Sequence, residues 1–216
     1  MINREENIFI AKKYLVENIF NSAYIEGCNV TLAQTQGILD GAIINNVSAG
    51  DVQTIFNLRD AWKLILNTLD VPLTVAYLCQ VNENISRNKS LAPGEIRNGN
   101  VTITGVDYIP QIPTQHSVEE LLTNIQHIED PRERAIEYFC KATREQLFWD
   151  GNKRTSTLIA NKILIENGQG ILFIGKGRAI EFNKTLNHYY NTTEAKPLKD
   201  CLKSCIATIK RTPFQV

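Results

Sequence analysis

Within ten residues, Gln146-Leu147-Phe148-Trp149-Asp150-Gly151-Asn152-Lys153-Arg154-Thr155, the chain gathers a carboxylate, a glycine, two amides and two cations. Asp150-Gly151-Asn152 is turn chemistry, and the apolar residues that follow it, Leu158, Ile159, Ala160, Ile163, Leu164 and Ile165, predict a helix beginning there. The first backbone N–H groups of such a helix lack intrahelical partners and sit at the positive end of its dipole, so the turn offers an anion, above all a phosphate, a place to bind. Lys153 and Arg154 add side-chain charge at the same end, and Asp150 could hold a magnesium ion bridging phosphate oxygens. The plain alternative is a helix corner carrying a solvated Lys-Arg pair.

Two helices must position this turn. Asp130, Pro131 and Glu133 form a capping start for the first, whose apolar positions are Ile136, Phe139, Cys140 and Leu147. The second is apolar nearly all round and stops at Asn167-Gly168, the pattern of a buried helix with a glycine after its last turn.

Upstream, residues 4–22 read as one amphipathic helix on Ile8, Ala11, Leu15, Ile19 and Phe20. Thr31 with Gln34 opens a short helix to Leu39, and residues 41–50 read as a loop. Asp51 is placed as the cap of a helix to Leu69, and Pro72 as the opening of another to Asn84. From Pro93-Gly94 to Pro113 the period falls to two, in Val101-Thr102-Ile103-Thr104-Gly105, which predicts a short hairpin or extended flap. Ser117 with Glu120 is placed as a third capping box. A possible strand at Ile171 to Ile174 comes next, then helices on Ile180 to Tyr190 and, opened by Pro197, on Leu198, Cys201, Leu202, Cys205 and Ile209.

The 216 residues suit one compact domain, all-α or mostly α, with a short β-hairpin flap. Residues 1–41 form its N-terminal helical part, 42–210 its helical core and 211–216 a frayed tail. Hydrophobic residues at 43% and charged residues at 21% are globular values, and 23 cations against 23 anions supply no global field for nucleic acid or a membrane surface. No apolar run approaches the roughly twenty residues of a membrane span, and the first residues lack a signal peptide's core, so a cytoplasmic location is expected. The five cysteines are scattered, without a C-x-x-C pair or a neighbouring histidine, and read as reduced, mostly buried thiols.

Phe148, Asp150, Gly151, Asn152, Lys153 and Arg154 resemble, in register, the signature of the Fic (Fido) family, H-P-F-x-(D/E)-G-N-(G/K)-R; Gln146 and Leu147 stand where that family has histidine and proline. Ser22, Glu26 and Gly27 similarly resemble the family's inhibitory pattern, (S/T)-x-x-x-E-(G/N), N-terminal to the core as in members that carry their inhibitor in the same chain. The resemblance implies a Fic fold, ATP and Mg2+ as co-substrate and cofactor, and transfer of AMP to a hydroxyl side chain of a target protein.

By position, Asp150 would ligate magnesium and the Gly151-Asn152-Lys153 backbone would hold phosphates. Arg154 would neutralise the β- and γ-phosphates, and the flap Val101, Thr102, Ile103, Thr104 and Gly105 would pin the target segment. The family's histidine takes the proton from the attacking hydroxyl; Gln146 at that catalytic position has no basic site, a loss of about 10²–10⁴-fold in rate, so a slow or inactive enzyme is expected. His116, His127 and His188 lie outside the motif, and Glu145 points about 100° away from Gln146 on a helix. Thr157 stands where many self-inhibited members have a second arginine, which leaves open a relaxed switch or a Glu26–Arg154 pairing. Two rival readings remain: a nucleotide-binding pseudoenzyme or toxin–antitoxin component acting through protein contacts, and a Fic-type transfer of another phosphate-containing group. Target, nucleotide preference and oligomeric state are not written in the sequence.

Overall fold

The structure, a computed structural model, describes residues 3–208. The expected tail at 211–216 and Ile209 lie outside the described residues. Helix α1 (Arg4–Lys13) starts at a reciprocal box between Asn3 and Glu6, and α2 (Leu15–Ile25) follows it. The single helix expected over 4–22 is therefore two, parted at Tyr14, where φ −107° and ψ 26° leave helical geometry. The break lets Ile10 and Ala11 of α1 and Ile19 and Ala23 of α2 all reach the core.

Thr31 and Gln34 cap α3 (Leu32–Leu39) as expected. Three other starts lie elsewhere than the sequence suggested. Helix α4 (Ala49–Asn67) is capped by Ser48, whose Oγ accepts from the Asp51 N–H at 3.0 Å, so Asp51 sits in the first turn and the preceding loop is shorter. Thr74, not Pro72, caps α5 (Val75–Ser86). Helix α6 (Gln115–Gln126) begins at a box between Thr114 and Ser117, one turn before the expected Ser117–Glu120 pair. In each case a nearby Ser or Thr in extended backbone satisfies the orphan N–H groups first.

The central pair is α7 (Pro131–Glu145), capped by Asp130, and α8 (Asn152–Glu166). They pack against each other, and α8 is buried over nearly its whole surface, against α1, α4, α5 and β1 (Ile171–Leu172). Asn161 of α8 acts as a lateral partner for β1, accepting from the Leu172 N–H at 2.8 Å and donating to its carbonyl at 3.1 Å. Helix α9 (Ala179–Thr192) and α10 (Lys196–Ser204) complete the helical set, and Cys205 ends α10 so that β2 (Ile206–Ala207) can pair antiparallel with β1. Cys205 therefore leaves the helix that the sequence pattern extended through it. The buried hydrophobic cluster runs without interruption from Ile10 to Ile206.

The two-stranded sheet is thus built from 171–172 and 206–207. Residues 101–105, where the hairpin was expected, run extended into a turn at Thr104-Gly105, closed by Val106 N–H to the Ile103 carbonyl at 3.1 Å. No strand lies alongside them among the described residues; the segment is tied down at its base instead, where Ile96 bridges to Phe148.

Candidate functional site

Gln146 closes α7 in the left-handed region, φ 48° and ψ 64°, a conformation that costs a non-glycine residue of the order of 1–3 kcal/mol. Its side chain is held on both sides: Nε2 donates to the Thr143 carbonyl at 2.6 Å and Oε1 accepts from Asn152 Nδ2 at 3.1 Å. Asn152 also accepts from the Phe148 N–H at 2.8 Å and donates to the Phe148 carbonyl at 2.7 Å, clipping the loop shut. With its side chain so engaged, Asn152 offers an anion only its backbone.

Gly151, at φ 76°, is the last residue before α8. A Cβ there would lie 2.6 Å from Ile85 Cγ2, so both the backbone and the space demand glycine. No side chain caps α8, and the N–H groups of its first turn keep their capacity for a ligand.

Arg154, with 5% of its side chain exposed, reaches Asp150 Oδ1 at 3.0 Å through Nη2 and Glu26 Oε2 at 3.2 Å through Nε. Lys153 Nζ lies 3.4 Å from Glu26 Oε1. Glu26, the residue that ends α2, therefore sits between the two cations of the loop 128 residues further on, and the pairing of Glu26 with Arg154 is the one adopted. Gly27 supplies the left-handed turn, φ 83°, that ends α2 there, while Ser22 borders a small cavity behind the pair. Thr157 donates to the Lys153 carbonyl at 2.9 Å.

A cavity of about 480 Å³, within the size of ordinary ligand clefts, joins these parts: Glu26, Thr102, Ile103, Thr104, Gln146, Asp150 to Lys153, and from α9 Asn183, Asn187 and Tyr190. Val101 and Gly105 of the expected flap do not border it. His116, His127 and His188 are absent from its wall; His188 instead faces Glu194 at 2.9 Å. Glu145 lines a separate cleft of about 830 Å³ with Tyr108, Ile112 and Arg144, and burial raises its carboxyl pKa.

Magnesium would find the Asp150 carboxylate here, since Glu26, the other carboxylate on the cavity wall, faces Lys153 and Arg154. Asp150 gives one oxygen to Arg154, and among the described residues no group of three or more His, Cys, Asp or Glu side chains could hold a metal. That donor set fits an ion that arrives with phosphate oxygens and keeps its waters, as magnesium does, and not a metal caged by protein alone.

Two buried polar residues that the sequence reading passed over hold the site together. Asn82 of α5 donates to the Asp150 carbonyl at 2.9 Å and to Thr155 Oγ1 at 3.0 Å, and accepts from the Gly94 N–H at 3.1 Å. Arg97, fully buried, donates to the carbonyls of Gln146, Gly99, Pro110 and Glu145, joining the flap base to the end of α7; its desolvation lowers its pKa. A lone Asn in an amphipathic helix and a lone Arg before Asn98-Gly99 carry no pattern that separates them from surface residues.

Residues 72–164 match the Fic/DOC family. Two relatives named protein adenylyltransferase Fic are similar to the chain: one from Drosophila erecta, 26% identical over 204 residues, and one from Aedes aegypti, 27% identical over 176. The first alignment covers 90% of this chain and 41% of the relative, the second 76% and 35%, so the chain spans well under half the length of the relatives it matches. Among solved structures, a fragment of Fic-1 from C. elegans superposes with a TM-score of 0.75 at 22% identity, over 90% of this chain and 60% of that one. A Fic domain containing signaling protein from Bacteroides thetaiotaomicron gives 0.75 at 21%, over 94% and 87%. Likeness at that identity speaks for the fold, and together with the family match over residues 72–164 it supports a Fic (Fido) domain there.

Proposed function

We propose that the chain is a protein adenylyltransferase in kind, binding ATP with magnesium at Asp150 to Arg154, restrained by Glu26 and slowed by Gln146. The observation that carries this reading is the position of Glu26: its carboxylate lies 3.2 Å from Arg154 and 3.4 Å from Lys153, where an anionic group would engage both cations.

In the reaction so proposed, a target hydroxyl oxygen attacks the α-phosphorus, the bond to the β-phosphate oxygen breaks, and pyrophosphate leaves. The N–H groups at the start of α8 hold phosphate oxygens, and Arg154 neutralises the charge that develops on the leaving group. Magnesium bound through Asp150 would supply further neutralisation. The flap would hold the target segment by the backbone groups of 101–105 other than the Ile103 carbonyl, which closes the turn. The hydroxyl proton passes to solvent water, since the Gln146 amide is neutral and already donates to Thr143 and no protein base meets it. That engagement of Gln146 also favours the rival reading, a nucleotide-binding pseudoenzyme; transfer of another phosphate-containing group is told from both by product mass.

The test is calorimetric titration of wild type and Glu26→Gly with ATP and magnesium. Removing the competing carboxylate should tighten binding about tenfold, the weight of one charge-assisted contact. Failure of both proteins to bind millimolar nucleotide would sink the proposal.

A further inference from the structure

Behind the Glu26–Arg154 pair lies a second, small cavity, walled by Asn18, Glu26, Trp62, Arg154, Thr157 and Phe173. It leaves about 20 Å³ for the centres of water-sized spheres, where about 10–15 Å³ is enough for one water. Four buried polar atoms of its wall have no hydrogen-bond partner: Asn18 Nδ2, Trp62 Nε1, Arg154 Nε and Glu26 Oε1. The ion-pair distances at Arg154 Nε and Glu26 Oε1 are short enough for Coulomb attraction but not aligned as hydrogen bonds. Trp62 is 1% and Asn18 3% exposed, so bulk solvent serves neither.

Buried donors and acceptors are satisfied in folded proteins by protein or by ordered water. Here the residues that carry the donors on α2 and α4 and the carboxylate oxygen all line one space of one-water size, whose wall is otherwise largely apolar, with Ile25, Leu172 and Phe182. Two N–H groups match the two lone pairs of a water, and a carboxylate oxygen matches one of its hydrogens. A small anion would meet the same donors but also the Glu26 charge.

We propose that a buried water occupies this cavity, accepting from Trp62 Nε1 and Asn18 Nδ2 and donating to Glu26 Oε1, so that Glu26 is held against the phosphate loop from behind. The inference rests on reading Glu26 as the restraint on nucleotide binding. It makes Trp62 and Asn18 positioning residues: they act on the ligand through Glu26 and touch none of it. Neither residue belongs to the motif, and the cavity is distinct from the 480 Å³ cleft.

The chain has two tryptophans, so its two indole N–H resonances in the ¹⁵N-labelled protein are assigned by Trp149→Phe. The Trp62 N–H is expected to show a nuclear Overhauser cross peak to a long-lived water. Trp62→Phe and Asn18→Leu, each removing one donor while filling similar space, should tighten ATP binding about three- to tenfold, the weight of one hydrogen bond. Neither should change it further when Glu26→Gly is already present. A Trp62 N–H without a water cross peak overturns the proposal, as do variants that bind like wild type while Glu26→Gly binds tighter. Should even Glu26→Gly fail to bind ATP, the nucleotide reading falls while the cross peak still decides the water.

Discussion

The loop from Gln146 to Gly151 is held to its neighbours by many of its polar groups, whereas the segment from Val101 to Gly105, which borders the same cavity through Thr102, Ile103 and Thr104, is held by almost none. The first is clipped by Asn152, hung from Asn82 and tied by Arg97. The second contributes one backbone carbonyl, that of Ile103, to a turn. An anion site must present fixed donors to a ligand of fixed shape, and prebuilding it removes the cost of reorganisation on binding. A surface that adds a strand from another chain needs the opposite, an edge whose N–H and C=O groups are still open.

The contrast can be broken most violently at Gly151. Gly151→Val forces a β-branched residue to φ 76° and into Ile85, and should destabilise the fold by about 3 kcal/mol or more, read from urea unfolding. Next in size, Gln146→His in the Glu26→Gly background places a base on the rigid side, and labelled-AMP incorporation should rise about 10²-fold. No gain would favour the pseudoenzyme. Arg97→Met keeps the stem but leaves buried carbonyls unmatched; about 2 kcal/mol of stability should go, with faster amide exchange concentrated between 98 and 113. The smallest effect belongs to the open side. Thr104→Lys, on an exposed turn, should change stability by less than about 0.5 kcal/mol, and any loss of target labelling beyond that would mark the flap as a docking edge.

The rigid side was also the more legible. Helix periodicity on either side of Asp150-Gly151-Asn152 predicted both α7 and α8, because both are long and one is capped by an Asp-Pro pair, but α7 stops at Glu145 and leaves Leu147, expected on its apolar face, in the loop. Glu26 was findable only through its motif spacing, since nothing local says that a carboxylate at a helix end meets cations 128 residues away. Asn82 and Arg97 were out of reach: their partners are mostly backbone groups, which leave no imprint on sequence. Helix starts at Ser48, Thr74 and Thr114 were missed because each stands near a rival cap, and the choice depends on the path of the chain before it. Strands of two residues, like 171–172 and 206–207, are too short to show a period. Tyr14 breaks a helix without a glycine or proline to announce it.

That break at Tyr14 has a mechanical meaning. Helix α1 is bolted in place, for Asn7 donates to the carbonyls of Gly170 and Leu164 at 2.8 and 3.3 Å. Helix α2 continues from the bolt as an arm of 11 residues, roughly 16 Å long, with Glu26 at its far end. An arm of that length swung by about ten degrees about Tyr14 carries its tip about 3 Å, as far as the whole distance from Glu26 to Arg154. Because α2 packs on α3 and α4, such a change of angle at Tyr14 would carry Glu26 away from Arg154 only if those contacts shifted with it.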